Sequence, residues 1–298
     1  LEGSTAMPMN SPNWVDIDGI NTRYFEFGEG ETVVLFYGGN FGSKDGSNCA
    51  IAWELNVDGL AANYHVVVPD KLGQGHTDNP KDDDYTMNAV VHHAAAFIES
   101  VGLSNVHLVG HSRGGYLVTR LTLEFPELVR SCTIVDSGTL GPGVGLNEIV
   151  HAQPPYEPLS RETQRWTYEK YSFKPDHITD TWLDAVVEVG KLPKTWEAIE
   201  KMENGGLKGR LFYPELARQK AETLRWIDER GMKRPTQVVW GYNDPTAPLR
   251  QGVPLYEMIA AKERQAYFHI INESGHFPFR EHPERFNEIV HGFIQSLN

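Results

Sequence analysis

The run Gly110-His111-Ser112-Arg113-Gly114 constrains this chain more than any other stretch. It follows the mostly apolar residues Val106–Val109 and precedes a helical pattern through Leu117, Leu121 and Leu123. A G-x-S-x-G set between a strand and a helix forces a tight, strained turn that lifts one serine hydroxyl out of the end of a sheet. Glycines flank the serine because the two backbones nearly touch there, and a side chain would block the approach. Five residues alone also describe an ordinary glycine-bounded turn, so the neighbouring elements decide.

Those elements alternate. Residues Trp14–Phe27 read as two short strands around the Asp18-Gly19 turn. Thr32–Phe36 and His65–Val68 are nearly continuous apolar runs, with a helix-like stretch around Trp53–Leu60 between them. Asp70–Asp78 is a loop with two glycines, and Tyr85–Val101 carries Met87, Val90, Val91, Ala94, Phe97 and Ile98 at helical spacing. Beyond the serine turn and its helix comes the strand Cys132–Val135. Apolar, β-branched strands that alternate with helices indicate a parallel sheet covered on both faces. Gly138–Gly145 breaks the rhythm, and only helical segments follow to about residue 213, parted by Gln153-Pro154-Pro155 and Gly205-Gly206. Strands resume at Thr236–Trp240 and Ala266–Ile271, and a helix at Pro283–Leu297 closes the chain. The expected fold is α/β, a mostly parallel central sheet flanked by helices. Residues 1–140 and 214–298 are expected to form its core and 141–213 an inserted helical lid.

Size and charge narrow the function. A chain of 298 residues can bury one large core plus an inserted subdomain. A formal net charge of −13 argues against a nucleic-acid partner, whose phosphates need a basic face. No apolar run approaches the roughly 18 residues of a membrane span, so no membrane partner is expected. Cys49 and Cys132 are too few for a disulfide framework and fit a reducing compartment. Leu1–Ala6 lacks the basic and apolar parts of a signal peptide and is expected to be a cloning remnant ahead of a start at Met7 or Met9. The cytoplasm is the expected compartment.

A serine hydroxyl is a poor nucleophile at neutral pH and needs a base to take its proton. Histidine suits the task because its pKa lies near the working pH. A carboxylate on the other ring nitrogen fixes the tautomer and stabilises the imidazolium. Asp244 follows the strand that ends at Trp240, and His276 lies in the loop after the next strand. The C-terminal ends of parallel strands share one edge, so Ser112, Asp244 and His276 should converge there as the catalytic set. Asp136, after the strand that follows the Ser112 helix, is the rival for the acid. Backbone N–H donors for a developing oxyanion are expected at Arg113 and at Gly39 or Asn40, in the glycine-rich loop after Phe36. No H-E-x-x-H and no Cys-His spacing suggests a metal, and the chemistry of such a set needs no cofactor.

These residues, in the chain order Ser…Asp…His, resemble the α/β-hydrolase superfamily. Asp70-x-x-Gly73-x-Gly75-x-Thr77-Asp78-x-Pro80 looks like that superfamily's loop before its first large helix. Within it the chain is most similar to the meta-cleavage product hydrolases of aromatic degradation. The cues are the glycine-rich loop with Asn48 downstream, the helical lid, and Gly275-His276-Phe277-Pro278 ahead of Glu281-His282-Pro283. The resemblance implies hydrolysis of a carbon–carbon bond in a small vinylogous diketone, giving a 2-hydroxypenta-2,4-dienoate and a carboxylic acid. It also implies self-association into a homo-oligomer. Gly38, Asn48, His111, Phe277 and Trp182 are the expected substrate contacts, Asn48 at the dienoate end.

The chain departs from that pattern at several points. Tyr37 stands where a histidine usually precedes the glycines, His111 where asparagine is frequent, and Phe277 where many relatives have tryptophan. The family's lid arginine has no clear match in Ile178–Glu188; Lys191, Arg161 and Arg165 are alternatives for binding the substrate carboxylate, but each reads first as a surface charge on the lid. A carboxylesterase or lactonase would use the same residues. Dehalogenases and epoxide hydrolases of this fold need aspartate where Ser112 stands. A non-enzymatic receptor on the same fold would keep the pocket without turnover.

Overall fold

A computed structural model describes Met9 and residues 11–146, 150 and 154–297. Leu1–Ala6, Met7 and Gln153 lie outside the described residues. Eight strands form one sheet: β1 (Asn13–Ile17), β2 (Ile20–Phe27), β3 (Thr32–Phe36), β4 (His65–Pro69), β5 (Val106–His111), β6 (Val129–Val135), β7 (Thr236–Gly241) and β8 (Ala266–Ile271). Their spatial order is β1-β2-β4-β3-β5-β6-β7-β8. Only β2 runs against the rest, pairing antiparallel with β1 and β4, whereas β4 through β8 pair in parallel. The expected α/β sheet is therefore found.

The burial of the strands shows why the apolar runs were needed. Val33–Phe36, Val66–Pro69 and all of β5 are buried, because helices cover both sheet faces. The flanking helices are α1 (Glu54–Ala61), α2 (Met87–Ser100) and α3 (Arg113–Glu124). Between β6 and β7 lie α4 (Arg161–Tyr171), α5 (Asp180–Lys191), α6 (Pro193–Ile199) and α7 (Tyr213–Arg230). After β7 come α8 (Leu249–Ala260), the short α9 (Pro278–Glu281) and α10 (Pro283–Gln295). The sequence pattern does not single out α8, whose run is interrupted by Gly252 and Pro254. Gly252 is required there by packing, since a Cβ would come within 2.7 Å of the Trp240 ring. No helix among the described residues is long and apolar enough to cross a membrane.

Arg280 joins the helical segment to the sheet domain. Its side chain is fully buried and donates to the Ala52 carbonyl at 2.7 Å, to Glu54 Oε1 at 2.9 Å and to the His177 carbonyl at 2.8 Å. The guanidinium also lies 4.1 Å above the Trp182 ring. Removing the cation strands a largely buried Glu54 carboxylate and two carbonyls, a class of change that costs several kcal/mol. Arg280→Met is expected to lower the unfolding free energy by about 3 kcal/mol, read as a lower urea midpoint with an unchanged slope; an unchanged midpoint would remove this role.

Candidate active site

Ser112 sits at φ 54° and ψ −118°, a region L-residues rarely occupy. Its neighbours force that conformation. A Cβ on Gly110 would come within 2.1 Å of the Gly114 carbonyl oxygen, and one on Gly114 within 2.3 Å of the Phe36 carbonyl oxygen. Strand β5, helix α3 and the end of β3 thus meet backbone to backbone, as the glycines of the motif required. The turn is tied from below: Ser112 N–H donates to the Val135 carbonyl at 2.7 Å, and Ser137 Oγ donates to the Ser112 carbonyl at 2.7 Å.

The neighbouring strand ends bring the other groups to the same edge. His276 Nδ1–H donates to Asp244 Oδ2 at 2.6 Å, with both side chains buried. Asp244 Oδ1 accepts from Thr246 N at 2.8 Å, Thr246 Oγ1 at 3.0 Å and Ala247 N at 2.8 Å, which turns Oδ2 toward the imidazole. With Nδ1 donating, Nε2 of a neutral His276 is left as the acceptor. Tyr171 stacks on the ring at 5.0 Å between centroids and accepts His276 N–H at its carbonyl, 2.8 Å away. His111 is fully buried, and burial together with the nearby His276 pushes its pKa well below the ordinary histidine value. As a neutral ring it donates Nε2–H to the His276 carbonyl at 2.7 Å.

Asp136, the rival acid, takes another position. Its two carboxyl oxygens accept from Gly241 N–H at 2.9 and 3.2 Å, and it lies beside Asp244 rather than on the imidazole. Burial, reinforced by the Asp244 charge, pushes its pKa well up. Asp136, Asp244 and His276 offer ligand atoms within 4.8 Å of one another. Those atoms are engaged in the hydrogen bonds just described, so the arrangement reads as an acid–carboxylate–imidazole chain.

Ser112 and His276 open into one cavity of about 530 Å³. Gly38, Gly39, Asn40, Asn48, His111, Arg113, Trp182 and Phe277 line it too, so the expected oxyanion-hole and substrate-contact residues reach the cavity, while Asp244 lies behind His276. The helical segment supplies Thr167, Tyr168, Tyr171, Lys208 and Tyr213 to its wall. Gly39 adopts φ +75°, and a Cβ there would come within 2.1 Å of Asn48 Nδ2, so Asn48 packs against the glycine loop. Among the described residues, the N–H groups of Gly39 and Asn40 donate to no protein acceptor. Phe277, Tyr168 and Trp182 form an aromatic wall, with Tyr168 and Trp182 stacked at 3.9 Å.

The expected carboxylate candidates do not reach the cavity. Arg161 pairs with Asp180 and Asp184 on the surface, Arg165 pairs with Glu169, and Lys191 is exposed. These positions are those of lid surface charges, the first reading of all three. The cations that line the cavity are Arg113 and Lys208. Lys208 is paired with Glu203 at 2.7 Å, whereas the Arg113 guanidinium packs 5.1 Å from the Phe212 ring. Sequence reading used Arg113 only for its backbone; the clue to its side chain was an arginine directly after the serine at the mouth of the sheet.

The chain belongs to the α/β-hydrolase fold family, whose pattern matches residues 32–283. It is similar to 2-hydroxymuconate semialdehyde hydrolase of Pseudomonas sp. (strain CF600), at 26% identity over 302 residues, covering 98% of this chain and 97% of that one. It is also similar to 2-hydroxy-6-oxononadienedioate/2-hydroxy-6-oxononatrienedioate hydrolase of Escherichia coli (strain K12), at 26% identity over 288 residues, covering 92% and 91%. Among solved structures, the serine hydrolase CarC involved in carbazole degradation aligns with a TM-score of 0.73 at 26% identity, over 96% of this chain and 99% of that chain. The meta-cleavage product hydrolase CumD of Pseudomonas fluorescens IP01 shares the fold, with a TM-score of 0.76 at 23% identity over 96% and 98%.

The hydrogen-bond pattern separates the two acids by experiment. With p-nitrophenyl acetate as a reporter, Asp244→Asn is expected to lower kcat by about 10⁴-fold, whereas Asp136→Asn should stay within about tenfold, because a neutral amide replaces a group already inclined to be neutral. The reverse ranking would make Asp136 the orienting acid. A raised carboxyl pKa stabilises the fold below the unfolded value, near 4, and that contribution is lost as pH rises. The urea midpoint of Asp136→Asn should therefore rise relative to that of the native protein from pH 4 upward; a variant midpoint that falls relative to the native one as pH rises would contradict the shift.

Proposed function

We propose that this protein is a serine hydrolase that cleaves the carbon–carbon bond of an aromatic meta-cleavage product, with Ser112 as nucleophile, His276 as base and Asp244 as the acid that orients it. The observation that carries the reading is the 2.6 Å Asp244–His276 hydrogen bond beside a cavity into which Ser112 is raised by its strained turn. The likeness to hydrolases of such products over nearly the whole chain supports the substrate class.

In this mechanism the dienolate is first ketonised by a proton delivered to carbon 5. Ser112 Oγ then attacks the carbon 6 ketone while its proton passes to His276 Nε2, and the carbonyl electron pair moves onto oxygen. Arg113 N–H and the N–H groups of Gly39 and Asn40 receive that oxyanion. Collapse breaks the bond between carbons 5 and 6; the electron pair passes from carbon 5 through the conjugated chain onto the carbon 2 oxygen, which takes the proton held by His276 to give the dienol and return a neutral imidazole. Water activated by His276 releases the acid from the acyl-enzyme.

Pocket chemistry refines the substrate. A cavity of about 530 Å³ falls within the usual range for small-molecule sites. The wall of Phe277, Tyr168 and Trp182 suits an aryl group at carbon 6, and Asn48 the dienoate end. The Arg113 guanidinium, which forms no ion pair among the described residues, is assigned to the substrate carboxylate. The described helices between β6 and β7, which supply Tyr168, Tyr171, Trp182 and Tyr213 to the cavity wall, are assigned as the lid.

The test is loss of the visible dienolate absorbance of 2-hydroxy-6-oxo-6-phenylhexa-2,4-dienoate, run beside p-nitrophenyl acetate. Bleaching should require Ser112 and exceed ester cleavage in kcat/KM, and Arg113→Met should raise KM for the dienoate by at least about tenfold. Slow bleaching with fast ester cleavage would make the protein a carboxylesterase with the same residues.

A further inference from the structure

Lys71 is a lysine in an unusual place. It follows β4 directly, its side chain is buried, and among the described residues it forms no ion pair. Its neighbour Asp70 is occupied elsewhere: Oδ2 pairs with Arg23 Nε at 2.6 Å and accepts His76 N–H at 2.9 Å, while Oδ1 accepts Ala50 N–H at 2.7 Å and Tyr37 Oη–H at 3.3 Å. Lys71 Nζ donates instead to two backbone carbonyls, Gly38 at 2.9 Å and Gly39 at 3.2 Å. Nζ also lies 4.8 Å from the centroid of the Tyr37 ring.

Those carbonyls belong to particular peptides. The Gly38 C=O shares its amide group with the Gly39 N–H, and the Gly39 C=O shares its own with the Asn40 N–H. A donor bonded to the oxygen of a planar amide draws electron density from nitrogen and makes the N–H a stronger donor. A charged donor does so more strongly than a neutral one. Burial and the Arg113 charge push the Lys71 pKa well below the ordinary lysine value, with Asp70 opposing them. Two carbonyl oxygens and an aromatic face are nevertheless the surroundings that suit an ammonium.

We propose that Lys71 is a positioning residue for the oxyanion hole: bonded to the Gly38 and Gly39 carbonyls, it fixes and polarises the two peptides whose N–H groups, on Gly39 and Asn40, receive the developing oxyanion. Lys71 does not line the cavity and acts on the loop through those two carbonyls. Tyr37 completes the clamp, because its hydroxyl accepts Lys71 N–H at 3.1 Å while donating to Asp70. The inference rests on the proposed role of Ser112.

The test uses the whole chain with Lys71→Met, Lys71→Arg and Ser112→Ala. Two readouts are needed: steady-state cleavage of p-nitrophenyl acetate, and inhibition by trifluoroacetophenone. Ser112 converts that ketone to a hemiketal: the Oγ–carbon bond forms, the carbonyl pair moves to oxygen, and the serine proton passes to His276. Lys71→Met should lower kcat by about 10- to 100-fold, less than loss of a whole donor. The inhibitor constant should weaken by a similar factor, with KM within about twofold. Lys71→Arg should recover most of both. If Lys71→Met does not fold, Lys71→Gln, which keeps an uncharged donor, should fall between the native and fully impaired values in both readouts. Unchanged kcat and inhibition in the Met or Gln variant, or a fall in kcat with unchanged inhibition, overturns the role of Lys71 while loss of turnover in Ser112→Ala leaves the nucleophile standing. Turnover that survives Ser112→Ala overturns both.

Discussion

The contact on which this molecule depends is the meeting of three backbones under Ser112. Strand β5, helix α3 and the end of β3 approach so closely that a single carbon on Gly110 or Gly114 would collide with a carbonyl oxygen, at 2.1 and 2.3 Å. That closeness imposes the positive φ of Ser112 and is held by hydrogen bonds from Ser112 N–H to Val135 and from Ser137 to the Ser112 carbonyl. Strain at one residue is affordable when the surrounding sheet over-determines it. The strain brings the serine into the cavity that His276 also lines.

The remaining parts follow from which strand ends where. Parallel strands deliver the loops after β3, β5, β6, β7 and β8 to one edge of the sheet. Buried polar groups at that edge must find partners, since an unpaired one costs about as much as a lost hydrogen bond. The result is two networks. One runs from Asp136 through Asp244 to His276, and the other gathers Arg23, Tyr37, Ala50 and His76 around Asp70. Lys71, next to that second network, carries its order into the glycine loop.

Much of this was legible in the sequence because it depends on local pattern. Apolar β-branched runs marked the buried strands, glycines marked the turn at Ser112, and chain order marked His276. What was not legible depends on long-range geometry. Asp244 was the expected partner of His276 with Asp136 as its rival, and it is the hydrogen bond to His276 Nδ1 that separates the two. The partners of Lys71 are backbone carbonyls, which carry no residue signature. Arg161, Arg165 and Lys191 face solvent or surface carboxylates, as lid surface charges do, whereas Arg113, read only for its backbone N–H, brings its side chain to the cavity. Helix α8 was hidden by a glycine and a proline that packing, rather than helix propensity, accommodates.

In the proposed function the strained turn makes Ser112 the nucleophile. Labelling the protein with diisopropyl fluorophosphate and mapping the adduct by peptide mass spectrometry tests it directly. One phosphoryl group on Ser112, lost in His276→Ala, is the expected result. Labelling at another residue, or a native protein that remains unlabelled under conditions that modify a known serine hydrolase, would contradict it.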